Sequence, residues 1–233
     1  MEKKSEILEN FKTAIGSTVK SLSNSENVEV SFGDQNSQSK SNSIKLPEIE
    51  QVNNKINYNQ IRALADSKSL KLRFSDNKTF KFYEPDGNIS KKLYKIAEKI
   101  RCEKLGSDQF KGVKNNIEKY YQERTNSLDL KNSEDKITES FENYLRVKFF
   151  ASKNSKELEK KLKTYQKDLN EKFKGKIKQL GNLTHDQDQY NSIISNLISN
   201  MHLDENLEKE EKNEENKDEK QKDQKNQEQK TKE

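Results

Sequence analysis

The sequence predicts a mainly α-helical protein: a single multi-helix domain over residues 1–207 with a small β element, followed by a disordered charged tail over 208–233. Three observations carry this prediction. Apolar residues recur at three- and four-residue steps through most of the first 207 positions, which marks helices with one buried face. Period-two alternation, the sign of a half-buried strand, is limited to a short run near residue 30 and an ambiguous one over 70–82. From Glu208 to Glu233 there is no hydrophobic residue, so nothing there offsets the entropy of ordering the chain.

Taken in order, Ile7, Leu8, Phe11, Ala14, Ile15, Val19 and Leu22 place a first helix over about Ser5 to Ser23. Val28, Val30 and Phe32 alternate with Glu29 and Ser31 and read as a short strand ended by Gly33. Residues 34–55, rich in Ser, Asn and Gln at their start, are expected to form a mobile loop within the domain, with an extended connection from Leu46-Pro47. Tyr58–Tyr83 is ambiguous. A helix through about Ser69 is favoured, and Leu70, Leu72, Phe74, Phe80 and Phe82 around Asp76-Asn77 then suit a β-hairpin almost as well as more helix. Pro85-Asp86-Gly87 is a turn, with Asn88 or Ser90 as the cap of the next helix.

Helical stripes fill the rest. They are Leu93, Ile96, Ala97 and Ile100; then Phe110, Val113, Ile117 and Tyr121; then Ile137, Phe141, Tyr144, Leu145 and Phe149; then Leu158, Leu162, Tyr165, Leu169 and Phe173, capped by Ser155. Gly106 is expected at the end of the first of these helices and Gly112 inside the next turn. A last helix runs from Tyr190 to Met201, introduced by Thr184-His185-Asp186-Gln187 at the spacing of a capping box.

Composition narrows the function classes. Only 28% of the 233 residues are hydrophobic and 36% are charged, so one modest core is the most the chain can build. The formal charge is +5; the tail carries ten acids and eight lysines, leaving +7 on the body. Only five of the 45 basic residues are Arg, the type suited to bidentate base and phosphate recognition. Nucleic acid is therefore not the favoured partner. The single Cys102 excludes an internal disulfide and suits a reducing compartment. No apolar run reaches the eighteen or so residues that span a bilayer, and the expected location is the cytoplasm, with no membrane partner.

No catalytic, cofactor or metal motif emerges. Gly175-Lys176 continues into Ile177 and lacks the glycines of a phosphate loop. Cys102, His185 and His202 are isolated, whereas zinc-type sites cluster their ligands. The charged residues Asp66, Arg73, Asp76, Glu98, Arg101 and Glu103 remain. Glu98 and Arg101 stand three apart and can pair on one helix face, while Glu103 lies roughly 140° further round. They read either as a solvated face with an ion pair or as a partner-docking surface.

These residues also carry a resemblance. Phe11-Lys12-x-Ala14, Val28-Glu29-Val30-x-Phe32-Gly33, Ala65-Asp66, Leu70, Leu72, Arg73 and Asp76 stand in order before Glu98-x-x-Arg101-x-Glu103-x-Leu105-Gly106. Gly112-Val113-x-x-Asn116, the Asp-Gln pairs at 186–189 and Met201-x-Leu203-Asp204 follow. Over about Glu9 to Glu208 the chain resembles the amino-terminal region of the cobaltochelatase CobT family. Lys99, Phe110, Asn77 and Phe80 depart from the residues usual there. Asp66-Ser67-Lys68-Ser69 is not the Asp-x-Ser-x-Ser site of the family's von Willebrand A-type domain, which is expected to be missing.

The resemblance implies a complex that inserts Co²⁺ into hydrogenobyrinic acid a,c-diamide during cobalamin biosynthesis. Its expected partners are an AAA+ ATPase subunit that uses ATP and Mg²⁺ and a large tetrapyrrole-binding subunit. This chain would be a non-catalytic adaptor holding no cofactor, with Asp66, Arg73, Asp76, Glu98, Arg101 and Glu103 as interface candidates and Gly106 and Gly112 as structural positions. The alternatives are a basic helical module for nucleic acid or ribosome, or a truncated remnant without function.

Overall fold

The computed structural model describes residues 2–33, 42–49, 51–52, 55–56, 58–126, 128, 130, 132–152 and 156–204. Helix α1 (Glu2–Ser23) leads into strands β1 (Glu29–Phe32) and β2 (Ser43–Leu46), then the two-residue strands β3 (Gln51–Val52) and β4 (Lys55–Ile56). The helices that follow are α2 (Tyr58–Phe74), α3 (Asn77–Phe82), α4 (Asn88–Gln109), α5 (Lys111–Asn126), α6 (Ser133–Phe150), α7 (Lys156–Lys172), α8 (Lys176–Asn182) and α9 (Gln187–Ser199). The protein is mainly helical, as its periodicity requires.

The small β element is larger than alternation alone reveals. Within the stretch expected as a loop, β2 pairs in parallel with β1, Val30 opposite Ile44 and Phe32 opposite Leu46. Ile44 and Leu46 are buried, and with Phe11, Ile15, Val19, Val28, Ile61 and Ala65 they form one apolar cluster beneath α1 and α2. Two alternating residues are too short a pattern to register as a strand, and the pairing across the loop supplies the rest. Residues 34–41, Ser155 and the tail from 205 onward lie outside the described residues.

Of the two readings open for residues 70–82, the structure takes the helix. Helix α2 continues to Phe74, and the Asp76 carboxylate accepts the Thr79 amide at 2.7 Å to start α3. A strand would have turned Phe80 and Phe82 to one face. Helical spacing separates them: Phe80 is 7% exposed and stacks on Tyr94 with centroids 4.8 Å apart, whereas Phe82 is 79% exposed. Burial of Phe80, and the Tyr94 hydroxyl donating to its carbonyl at 3.0 Å, decide between the two readings.

The cap of α4 is likewise not local. Gly87 stands at the cap position with φ +89° and no side-chain bond of its own. The carboxylate of Asp204 accepts the amides of Ile89 at 2.8 Å and Ser90 at 3.2 Å, and the Ser90 hydroxyl at 2.7 Å. A residue 115 positions away thus fills the role expected of Asn88 or Ser90. At α9 the cap is Asp186, which accepts the Gln189 amide at 3.0 Å, while Thr184 is buried and turned to Gly181.

Helix α4 is the axis of the molecule. Leu93, Tyr94, Ala97 and Ile100 face a large core shared with α3, α6, α7, α8 and α9. On its other side Cys102 joins Leu22, Leu70, Val113 and Ile117 from α1, α2 and α5. Gly106 lies inside α4, not at its end. A Cβ there would come within 2.2 Å of Leu70 Cδ2, so the missing side chain is what lets α2 approach α4. Gly112 sits in the first turn of α5, facing open space.

Candidate functional site

Because α4 is covered on both sides, its charged residues are buried. Glu98 is 0% and Arg101 1% exposed. Arg101 Nε and Nη2 donate to the two oxygens of Glu98 at 2.9 and 2.7 Å. Its remaining capacity goes to backbone: Nη1 donates to the Thr184 carbonyl at 2.9 Å and Nη2 to the Phe74 carbonyl at 2.6 Å. The guanidinium therefore serves the last carbonyl of α2 and the connection between α8 and α9. A planar fork with five donors suits this task; an ammonium does not. The reading of Glu98 and Arg101 as a solvated face is corrected, because two neighbouring layers close over them.

Glu103 points to the opposite side of α4 and belongs to a second network. It accepts the Ser67 hydroxyl at 2.5 Å and Arg146 Nη2 at 2.5 Å. Arg146 also donates to Glu142 at 3.3 Å and lies over the Tyr121 ring, 3.1 Å from its centroid. Lys99 donates to Glu142 at 2.6 Å, and Arg124 bonds both Glu142, at 3.1 Å, and Glu139. Three cations thus meet three carboxylates between α2, α4, α5 and α6. Burial alone would raise the Glu142 carboxyl, but Lys99, then Arg146 and Arg124, hold it well below the usual carboxylate range. A polar recess of about 140 Å³ opens beside Lys99, Glu103, Arg124 and Glu142; two cations face two carboxylates there, so these four side chains carry no net charge.

Asp66 is also buried, on α2, and accepts Asn116 Nδ2 of α5 at 2.8 Å. Desolvation outweighs that bond and the nearby Arg62, and its acid is pushed up to about 6. Burial pushes the Cys102 thiol well above its ordinary value, followed by the repulsion of Glu98, which leaves it unreactive as a nucleophile. Among the described residues no group of three or more His, Cys, Asp and Glu could hold a metal ion.

Arg73 and Asp76 are the candidates that remain exposed. They lie at the corner between α2 and α3. Arg73 sits over the rings of Phe74 and Phe110 and donates to the Leu22 carbonyl at 3.3 Å. The Asp76 backbone is held by Gln187, whose Oε1 accepts its amide at 2.7 Å and whose Nε2 donates to its carbonyl at 3.0 Å. Leu72, on α2, and Phe82, the last residue of α3, are exposed large hydrophobics. The structure therefore separates the six candidates: Glu98 with Arg101, Glu103 with Arg146 and Asp66 with Asn116 are buried, while Arg73 and Asp76 share an exposed corner that Arg101 reaches through the Phe74 carbonyl.

Sequence reasoning passed over Lys99, Arg124, Glu142 and Arg146 as participants. A signal existed. In a chain with 40 Lys and five Arg, Arg101, Arg124 and Arg146 are the ones drawn into carboxylate networks. Scarcity itself marked the positions where a planar, multiply bonded cation is needed.

Among known families, the model described as cobalamin biosynthesis protein CobT matches residues 5–233. The chain belongs to that family, and its role accordingly lies in cobalamin biosynthesis by cobaltochelatase. No solved structure matches the chain. No described helix is long and apolar enough to cross a membrane.

Proposed function

We propose that this CobT-family chain is a non-catalytic adaptor in a cobaltochelatase complex, docking a rigid helical body onto an AAA+ ATPase subunit. Cobalt and the corrin ring are substrates of the assembly, and ATP and Mg²⁺ belong to the ATPase. The large tetrapyrrole-binding subunit is the second partner.

One observation carries this reading: the acids and bases that chemistry would use are engaged with one another inside the fold. Glu98 with Arg101, and Glu103 and Glu142 with Arg146, tie helices together and present no reactive group to a substrate. Among the residues presented outward are Leu72, Arg73 and Asp76 at the α2–α3 corner and Phe82 at the end of α3. Arg and exposed aromatic side chains are enriched at the centre of protein interfaces.

The test is co-purification of the full chain with the AAA+ subunit. Retention is expected for the intact chain and for one lacking residues 208–233. It should fall at least tenfold for the combined Leu72→Ser and Phe82→Ser variant, whose helical circular dichroism should match the parent. An intact chain that retains no ATPase overturns the adaptor reading. A folded double variant that binds as well as the parent removes the α2–α3 corner from it.

A further inference from the structure

The outer face of α7 carries a row of cations that the fold does not use. Lys156, Lys160, Lys163 and Lys167 follow at four-, three- and four-residue steps, and all are exposed. On an α-helix they form one stripe about 16 Å long. It lies about 150° round the helix from the apolar stripe Leu158, Leu162, Tyr165, Leu169 and Phe173, of which Leu158, Leu162, Leu169 and Phe173 are buried. None of the four lysines has an ion pair with a described residue, in contrast to Lys92, Lys95, Lys99 and Lys104 of α4.

The chain leaves the described body close to this helix. Lys172, the last residue of α7, donates to the Met201 carbonyl at 3.5 Å, and Asp204 is fastened to the start of α4. The twelve residues that follow, 205–216, hold six Glu and two Lys, a net charge of −4; residues 217–233 hold five acids and six Lys. The negative charge of the tail is thus concentrated where it meets the body. Glu208, Glu211 and Glu215 follow one another at the same three- and four-residue steps as the lysines. Twelve residues reach at most about 40 Å, more than twice the length of the stripe.

We propose that the acidic segment 205–216 docks on the lysine stripe of α7. Each exposed pair contributes little and is screened by salt. Tethering makes the encounter intramolecular, with an effective concentration in the millimolar range, so several weak pairs suffice at low ionic strength. The docked segment covers the stripe and keeps it from other polyanions. An acidic partner segment or raised salt exposes it.

Zero-length carbodiimide cross-linking of the full chain, followed by peptide mapping, tests the contact directly. Within-chain links from Glu208–Glu215 to Lys160, Lys163 and Lys167 are expected at low salt, reduced several-fold at about 0.5 M salt. Links formed only between chains, or no links to the stripe, overturn the proposal. A second readout is elution from heparin. Changing Glu208, Glu210, Glu211, Glu214 and Glu215 to Gln is expected to raise the eluting salt more than neutralising the five acids of residues 217–233, a change of equal charge. Lysine-to-Gln substitution of the stripe should erase that difference. Equal elution of the two neutralised chains overturns the proposal. So does single-stranded RNA binding the intact chain as tightly as the Glu-to-Gln chain, which would mark the stripe as an open nucleic-acid face.

Discussion

Asp204 closes over Gly87 so tightly that a Cβ on the glycine would stand 2.2 Å from a carboxylate oxygen. The two residues make one device. Gly87, at φ +89°, turns the chain into α4 without a side chain. Asp204 then occupies the vacated volume and accepts the first amides of the helix. The end of the described chain is thereby fixed to the start of the central helix.

Asp204→Ala is expected to lower stability by about 1–2 kcal/mol, the usual worth of a helix cap, and to speed hydrogen exchange in the first turn of α4. Gly87→Ala should lower it further, since it combines positive-φ strain with the clash. Urea melts of both variants decide this. Equal stability of Asp204→Ala and the parent would remove the cap.

The two glycines shared with the family pattern should respond in opposite ways. Gly106→Ala drives a methyl into Leu70 and should destabilise by about 1–3 kcal/mol. Gly112→Ala, in an open helical position, should stabilise by about 0.5–1 kcal/mol. Thermal denaturation of the pair is the measurement.

Asp66 and Glu142 give stability opposite dependences on pH. The folded Asp66 acid titrates near 6 against an ordinary 3.8. Its protonated form is favoured, so its contribution is complete below pH 3.8 and is lost as pH rises through 6. Asp66→Asn should therefore be more stable than the parent at pH 7.5, by on the order of 2–3 kcal/mol, with the gap closing at pH 4. Glu142 is held below its ordinary 4.5, so its contribution is present above pH 4.5 and disappears as pH falls through the depressed value. Denaturant melts from pH 3 to 8 separate the two; a Glu142→Gln chain whose acid-side profile matches the parent's would contradict the second.

Arg101→Met leaves the Glu98 carboxylate buried without its partner and should destabilise by about 3–5 kcal/mol. Adding Glu98→Leu should recover part of this. The Phe74 and Thr184 carbonyls still lack their donor, a deficit of about 1–3 kcal/mol each. A double-mutant cycle followed by chemical denaturation measures the recovery; complete recovery would show that the two backbone bonds contribute nothing.

Much of the fold was legible in the chain because its information is local. The stripes Leu93-Ile96-Ala97-Ile100 and Ile137-Phe141-Tyr144-Leu145 place their helices and their buried faces from neighbours three and four residues away. The lysine bias of the surface and the retention of a few Arg were also readable. The charged positions of α4 were recognised as distinctive but assigned to the wrong environment, since an i,i+3 ion pair looks the same on a solvated face as in a core.

The sequence by itself determined the helical class, the stripes that become the core, and the family. Tertiary structure alone decided that Phe80 turns inward and Phe82 outward, that Gly106 is a contact with Leu70, and that Glu98 and Arg101 lie beneath two layers. It also decided that Asp204 caps a helix 115 positions earlier and that Glu103 meets Arg146 across 43. The physical reason is range. Periodicity is set by side chains one helical turn apart, whereas a cap, a close approach or a buried ion pair depends on which distant segment the packed core brings alongside.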